Sequence, residues 1–386
     1  MNLLLEETSP FAAALLLLTA GTIALIILLA IAVYCTVLPT IISLLTGCLM
    51  RGHAHRFGLE DRPGGHKAHQ GTVPLGGGVG IFLGLALPLL IATLAAWTRL
   101  APTSVSGVST ICRELVSRAP QTLGILAAAG GLCLLGIRDD RKPLGPWLKL
   151  WVQIACAAAV VLLCGVRVLT LAGEIPSIVI TILWIVGLTN SFNFLDNMDG
   201  LAGGVGLLCA ITLALVAMIT GQWIVVMMAI LLAGALAGFL PHNLAPARLY
   251  MGDAGSLVVG FWLACCSCMV TYAPASGLLG VGWLIPLCIM AVPIYDTFSV
   301  FYLRWRRGES IMVGDRRHFS HRLLLRGLSV RQAVATICLA TAVSCSGAVI
   351  LACASSLLVA GIVGLQIAAV LILIGMLEAI WKVDID

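Results

Sequence analysis

Two carboxylates, Asp196 and Asp199, stand in the segment Asn190-Ser-Phe-Asn-Phe-Leu-Asp-Asn-Met-Asp-Gly-Leu-Ala-Gly-Gly204, between two long apolar runs. A charge near a bilayer costs several kcal/mol, so acids in such a place point to function. The glycines behind them let the backbone turn tightly and approach a partner or ligand closely. A second group, Arg138-Asp-Asp-Arg-Lys142, sets Asp139 beside Asp140. Adjacent carboxylates repel unless a cation compensates, which suits a Mg²⁺ or substrate-handling pair. A solvated loop neutralised by Arg138, Arg141 and Lys142 explains the pair equally well. In the third group, Met251-Gly-Asp-Ala-Gly-Ser256, Asp253 lies between small residues at a helix start. There a carboxylate either caps the helix or faces a metal. Taken together, beside histidines and many Lys and Arg, these acids supply what phosphoryl transfer in water-poor surroundings needs. Metal and cations neutralise diphosphate charge, and carboxylates hold the metal or take a proton.

The elements that position these groups are membrane helices. Of 386 residues, 60% are hydrophobic and 10% charged, and the mean hydropathy is +1.09. That composition excludes an ordinary soluble globule. A span needs about 20 apolar residues. Eleven runs qualify, near 12–45, 75–98, 121–137, 147–165, 177–192, 203–220, 223–241, 255–272, 279–303, 333–354 and 357–380. They predict an all-α, polytopic integral membrane helix bundle in which residues 1–386 form a single membrane domain. The first run exceeds one crossing, which implies tilt or extension past the bilayer surface.

Orientation follows from the basic residues. With the N-terminus outside, only Arg99, Arg113, Arg118 and Arg167 of the 22 Lys and Arg fall on the outer side. The positive-inside rule then gives an N-out, C-in topology. The inner loops are 46–74, 138–146, 193–202, 242–254 and 304–332. All seven histidines (His53, His55, His66, His69, His242, His318 and His321) gather there with the acids named above. The outer loops are short or chemically bland. The 14 cysteines sit mostly in apolar runs, and Cys265-Cys266-Ser-Cys268 lacks zinc-site spacing, so they read as packing. Leu45-Thr-Gly-Cys48 loosely matches a lipoprotein cleavage box but lies too far from the N-terminus, and the first run reads as a retained span.

Two inner loops carry further chemistry. The first ends in Pro74-Leu-Gly-Gly-Gly-Val-Gly80, where glycines permit close helix packing or expose N–H groups to an anion. The longest contains Gly-Asp-Arg-Arg-His-Phe-Ser-His-Arg and predicts a short amphipathic segment at the membrane surface. Anchoring to anionic lipid explains its charge but not its paired histidines. Asp296 lies about 12 Å inside the ninth run at 1.5 Å per residue, where bonding backbone or a polar partner is its simplest role.

In this order the residues resemble the polyprenyl-phosphate N-acetylhexosamine-1-phosphate transferases, the superfamily of the peptidoglycan translocase and of the enzymes that initiate lipopolysaccharide and teichoic acid. The likeness runs through Pro74–Gly80, Gly136-Ile-Arg-Asp-Asp-Arg141, Asn193-Phe-Leu-Asp-Asn-Met-Asp-Gly200, Met251-Gly-Asp-Ala-Gly-Ser256, Pro293-Ile-Tyr-Asp-Thr297 and the 315–322 histidine segment. It implies attack by a polyprenyl (undecaprenyl) phosphate on the sugar-linked phosphorus of a UDP-sugar, with UMP leaving and Mg²⁺, or Mn²⁺, as cofactor. It implies that Asp253 is the main metal ligand, joined by Asp196. Asp139 would deprotonate or orient the lipid phosphate beside Asp140, and Lys67 would lie near that phosphate. Asn193, Asp196 and Asp199 would serve the uridine and metal side, and His318, His321 and Arg322 would contact the donor. The setting implied is the bacterial inner membrane with the site facing the cytoplasm; the resemblance brings in no nucleic acid, and leaves a homodimer open. One position departs: where the family segment often reads His-x-His-His, this chain has Ser320 at the middle histidine. With no extended His-His-His pattern, the peptidoglycan translocase itself is disfavoured and a GlcNAc-1-phosphate transferase is the leading subclass.

Two other readings compete. A transporter or flippase would need acids near the midplane and repeat symmetry, yet only Asp296 lies deep and no strong internal repeat is found. An inactive homologue retained as a scaffold conflicts with the intact acidic motifs.

Overall fold

Long apolar segments fold as helices here because a bilayer offers the backbone no hydrogen-bond partner, and a helix satisfies every interior N–H and C=O within itself. The computed structural model describes residues 10–61, 73–98, 106–170, 173–272, 281–308, 318–354 and 356–379. In chain order the helices begin with α1 (Pro10–His53), α2 (Gly77–Trp97), α3 (Ser106–Ser117), α4 (Ala119–Arg141), α5 (Pro146–Leu163), α6 (Glu174–Leu195) and α7 (Leu201–Ile219). They continue with α8 (Trp223–Asn243), α9 (Gly252–Met269), α10 (Leu284–Ile289), α11 (Ala291–Arg307), α12 (Phe319–Leu325), α13 (Val330–Cys353) and α14 (Leu357–Ala379). Among the described residues ten helices are long and apolar enough to cross a membrane, and a bent pair makes an eleventh. A two-stranded antiparallel ribbon, β1 (Glu60–Asp61) with β2 (Val73–Pro74), closes the loop after α1.

The run at 279–303 is not the single rod its composition predicts. A 3₁₀ turn (Val281–Trp283) and α10 form one arm, and α11 leaves it at 72°. The cause is local. Pro293 has no N–H to give the carbonyl of Ile289, four residues back. The Cys209 thiol donates to that carbonyl instead, at 3.3 Å, with the Cys345 thiol at 4.0 Å. A second difference lies on the side predicted to be outer. The stretch read as a bland loop contains α3, whose Leu115 is buried.

Helix α9 is the hub of the bundle. Every residue from Ala254 to Met269 is buried, and it packs on α2, α4 and α6. Close approach is what its neighbours' glycines permit. A Cβ on Gly136 of α4 would stand 2.2 Å from Ala254 N, and one on Gly78 of α2 would stand 2.1 Å from Gly255 N. Any side chain at either place would push the helices apart. The N–H groups of Gly77 and Gly78 donate to the Tyr250 and Met251 carbonyls, each at 3.0 Å. Of the two roles open to the 76–80 glycines, helix packing is therefore the one adopted.

Candidate active site

Helix α9 starts at Gly252, whose φ of 68° favours glycine. Its first donors are capped by acids from other helices. Asp140, in the last turn of α4, accepts the Asp253 N–H at 2.9 Å and the Ala254 N–H at 3.4 Å. Asp196, just beyond α6, accepts the Gly252 N–H. A helix N-terminus favours negative charge, and these two carboxylates supply it.

Asp253 is thereby free of capping duty, and its own carboxylate faces a polar cluster. Its Oδ2 accepts from Lys149 Nζ at 2.8 Å, and its Oδ1 from Asn193 Nδ2 at 2.9 Å. The same ammonium bonds Asp139 Oδ2 at 3.1 Å, while Asp139 Oδ1 accepts the Leu144 N–H at 2.7 Å. Asn193 Nδ2 also donates to Ser256 Oγ at 2.9 Å. The side chains of Asp139, Lys149 and Asp253 are 14%, 24% and 23% exposed. At such burial the attraction exceeds that of a surface ion pair. Of the predicted residues, Asp139, Asp140, Asn193, Asp196 and Asp253 thus come together.

Lys149 is the residue that sequence reasoning missed. It holds Asp139 to Asp253 with one ammonium. Its signal was present: a lone lysine in the apolar run 147–165, where an ionisable group marks function by default.

Asp196 feels the excess of acids. Burial first, then the charges of Asp253 and Asp140, push its carboxyl well above the usual carboxylate range. Asp199 is turned toward the 244–251 loop, where its Oδ2 accepts the Ala247 N–H at 2.8 Å. Beside it, burial, Asp199 and Asp196 raise the Tyr250 phenol to about 12.

A second cluster forms between α11 and α12. Asp296 is buried, and its two oxygens take different donors: Oδ2 lies 3.0 Å from His318 Nδ1, and Oδ1 accepts the Phe319 N–H at 2.8 Å. Arg322 Nη2 donates to Ser299 Oγ at 2.9 Å. Ser320, the departure from the family pattern, is buried and donates to Asn197 Oδ1. His321 belongs to the same short helix, whereas Lys67 lies outside the described residues. Helix α6 joins the two clusters. Asn193 bonds Asp253, and the next ring, Phe194, lies 6.0 Å from that of His318 and 6.2 Å from that of Phe301.

Among the described residues no three His, Cys, Asp or Glu are arranged to hold a metal alone. Mg²⁺ does not require that, because it is typically bound by one or two carboxylates with phosphate oxygens and water. Asp253 and Asp196 fit such an ion. After burial, the charges of Asp253 and Asp140 raise Asp196, and a divalent cation would relieve that part.

The chain is similar to known proteins over most of its length. The family model "Glycosyl transferase family 4" matches residues 122–271, which include Asp139, Lys149, Asn193 and Asp253. A Bacillus subtilis (strain 168) protein named "Probable undecaprenyl-phosphate N-acetylglucosaminyl 1-phosphate transferase" is 30% identical over 313 residues, 78% of this chain and 80% of its own length. The decaprenyl-phosphate N-acetylglucosaminephosphotransferase of Mycolicibacterium smegmatis is 30% identical over 323 residues, 76% of each chain. The undecaprenyl-phosphate alpha-N-acetylglucosaminyl 1-phosphate transferase of Escherichia coli (strain K12) is 26% identical over 310 residues, again 76% of each. With a relative 30% identical over four-fifths of that protein's length, the chain belongs to glycosyl transferase family 4, in the polyprenyl-phosphate N-acetylhexosamine-1-phosphate transferase superfamily.

Proposed function

We propose that this enzyme transfers N-acetylglucosamine 1-phosphate from UDP-GlcNAc to a polyprenyl phosphate. An oxygen of the lipid phosphate attacks the sugar-linked phosphorus, the bond from that phosphorus to the bridging oxygen breaks, and UMP departs with the electron pair. The observation that carries this reading is the Asp139–Lys149–Asp253 array, in which two acids from different helices share one ammonium at a helix start. The names of the relatives supply the substrate class.

The chain's own groups then take these parts. Asp139 faces the lipid phosphate, orients it and accepts its proton if one is present. Lys149 turns from the carboxylates toward the phosphate oxygens when substrates arrive, since an ammonium is a mobile point charge on a flexible stem. Asn193 holds Asp253 in place, and Asp140 holds the backbone beneath it. Mg²⁺, or Mn²⁺, held by Asp253 and Asp196 would neutralise the diphosphate and make its phosphorus more electrophilic. The basic residues near the inner span ends support a cytoplasmic site in a bacterial inner membrane, the side on which a UDP-sugar is available.

The test is a panel of UDP-sugars incubated with purified protein, undecaprenyl phosphate and Mg²⁺, read by UMP release and product mass. UDP-GlcNAc should give a lipid with one added sugar and a diphosphate. If no UDP-sugar releases UMP, the reading fails. If another sugar is preferred, the donor assignment fails while the chemistry stands.

A further inference from the structure

The acid cluster leaves Asp296 without a role in the transfer, yet among the described residues it is one of the most enclosed carboxyls, with 1% of its side chain exposed. An acid so buried persists when donors satisfy it. It has two: the ring Nδ1 of His318 and the backbone N–H of Phe319. A carboxylate bonded to one ring nitrogen keeps the proton there and thereby fixes what the other nitrogen can do. Among the described residues no hydrogen bond engages His318 Nε2, and 7% of the side chain remains accessible. The ring is steadied on its face by Phe194, whose neighbour Asn193 bonds Asp253. The imidazole is therefore held at one edge by Asp296 and flanked by Phe194, on the helix α6 whose Asn193 reaches the acid cluster.

We propose that Asp296 is a positioning residue for the transfer, fixing the proton of His318 on Nδ1 so that Nε2 is left as an acceptor for a hydroxyl of the donor. Asp296 itself touches no substrate. The bond to Phe319 N–H extends the effect, because the same carboxylate sets the start of α12 and hence where His318 stands. The inference rests on the contact between His318 and the donor that the family resemblance implies, and the experiment separates the two ideas.

The experiment is a double-mutant cycle with Asp296→Asn and His318→Gln, read as kcat and KM for the UDP-sugar together with the thermal midpoint. Asn at 296 still accepts the Phe319 N–H, but its amide turns a donor toward Nδ1 and forces the ring proton onto Nε2. Loss of an outer partner of a functional histidine typically costs about 10–100-fold, and that fall in kcat/KM is expected for Asp296→Asn, with the midpoint moving by no more than about 3 °C. In the His318→Gln background the same change should cost less than about twofold, because its target has gone. An equal cost in both backgrounds overturns the inference and makes Asp296 structural. Full activity in Asp296→Asn with loss in His318→Gln also overturns it, while leaving the donor contact intact. Full activity in His318→Gln refutes the donor contact first. Should Asp296→Asn not fold, Asp296→Glu, which keeps the charge on a longer stem, is carried through the same cycle with the same criteria.

Discussion

The two polar clusters on either side of Phe194 differ in composition. On the α9 side, Asp139, Asp140, Asp196 and Asp253 are grouped with one ammonium, that of Lys149. On the other side, α11 and the start of α12 pair the carboxylate of Asp296 with His318 and set Arg322 against Ser299. They also differ in construction. The acids hang on helix starts and ends locked by glycine contacts with backbone. The second cluster sits on a bent helix and a short one, tied by side-chain bonds of His318 to Asp296, Arg322 to Ser299 and Ser320 to Asn197. In the proposed reaction the acids would serve the metal and the second cluster the nucleotide sugar.

The sharpest way to break the comparison is to remove the acid that faces the cluster rather than the backbone. Asp253→Ala should lower UMP release by at least about a thousandfold, the scale of losing several kcal/mol of charge stabilisation, with helical content retained by circular dichroism. Turnover within tenfold of the parent would mean that Asp253 is not the metal ligand. Next is the single cation among acids. Lys149→Met should cost about a hundredfold in kcat, and Lys149→Arg should recover part of it. If Lys149→Met equals the parent, the ammonium is only a structural tie.

The glycine lock is tested through stability. Gly136→Val puts a side chain where a Cβ already meets Ala254 N at 2.2 Å, and overpacking of this kind costs about 1–3 kcal/mol. A lower thermal midpoint is expected, and an unchanged one would show that α4 and α9 can separate freely. The mildest effect concerns Asp196. Its folded carboxyl titrates well above the ordinary value, so the folded state holds a proton more tightly than the unfolded chain. Stability without divalent cation is therefore fullest below the ordinary carboxylate range and falls as pH rises through the raised value. Asp196→Asn should flatten that fall and raise the midpoint at neutral pH in chelator. An identical pH dependence in parent and variant would contradict the crowding of acids.

Much of this was legible in the sequence because the signals were of the strongest kinds. Long apolar runs fixed nearly all the spans, and acids beside them marked Asp139, Asp140, Asp196 and Asp253. What composition could not show was shape inside a run. The bend at Met290 depends on one missing N–H, at Pro293, in a stretch still apolar enough to read as continuous. Lys149 was hidden for the opposite reason: one charge does not disturb the average of a span. The partnership of Asp296 with His318 joins residues 22 apart, and only the fold brings them within bonding distance. Asp199 shows a further limit, since its motif gives no hint that one oxygen is occupied by the 244–251 loop.

The contacts of Gly78 and Gly136 with the start of α9 bear on how the enzyme meets membranes of different thickness. A helix facing lipid answers hydrophobic mismatch by tilting, and α14, at the edge of the bundle, is free to do so. The α9 start is registered by backbone against backbone, with no lipid between. Thinning or thickening of the bilayer should therefore tilt the rim of the protein while the spacing of Asp139, Asp140 and Asp253 stays constant, so turnover measured in lipids of graded acyl length should vary less than the tilt of the outer helices.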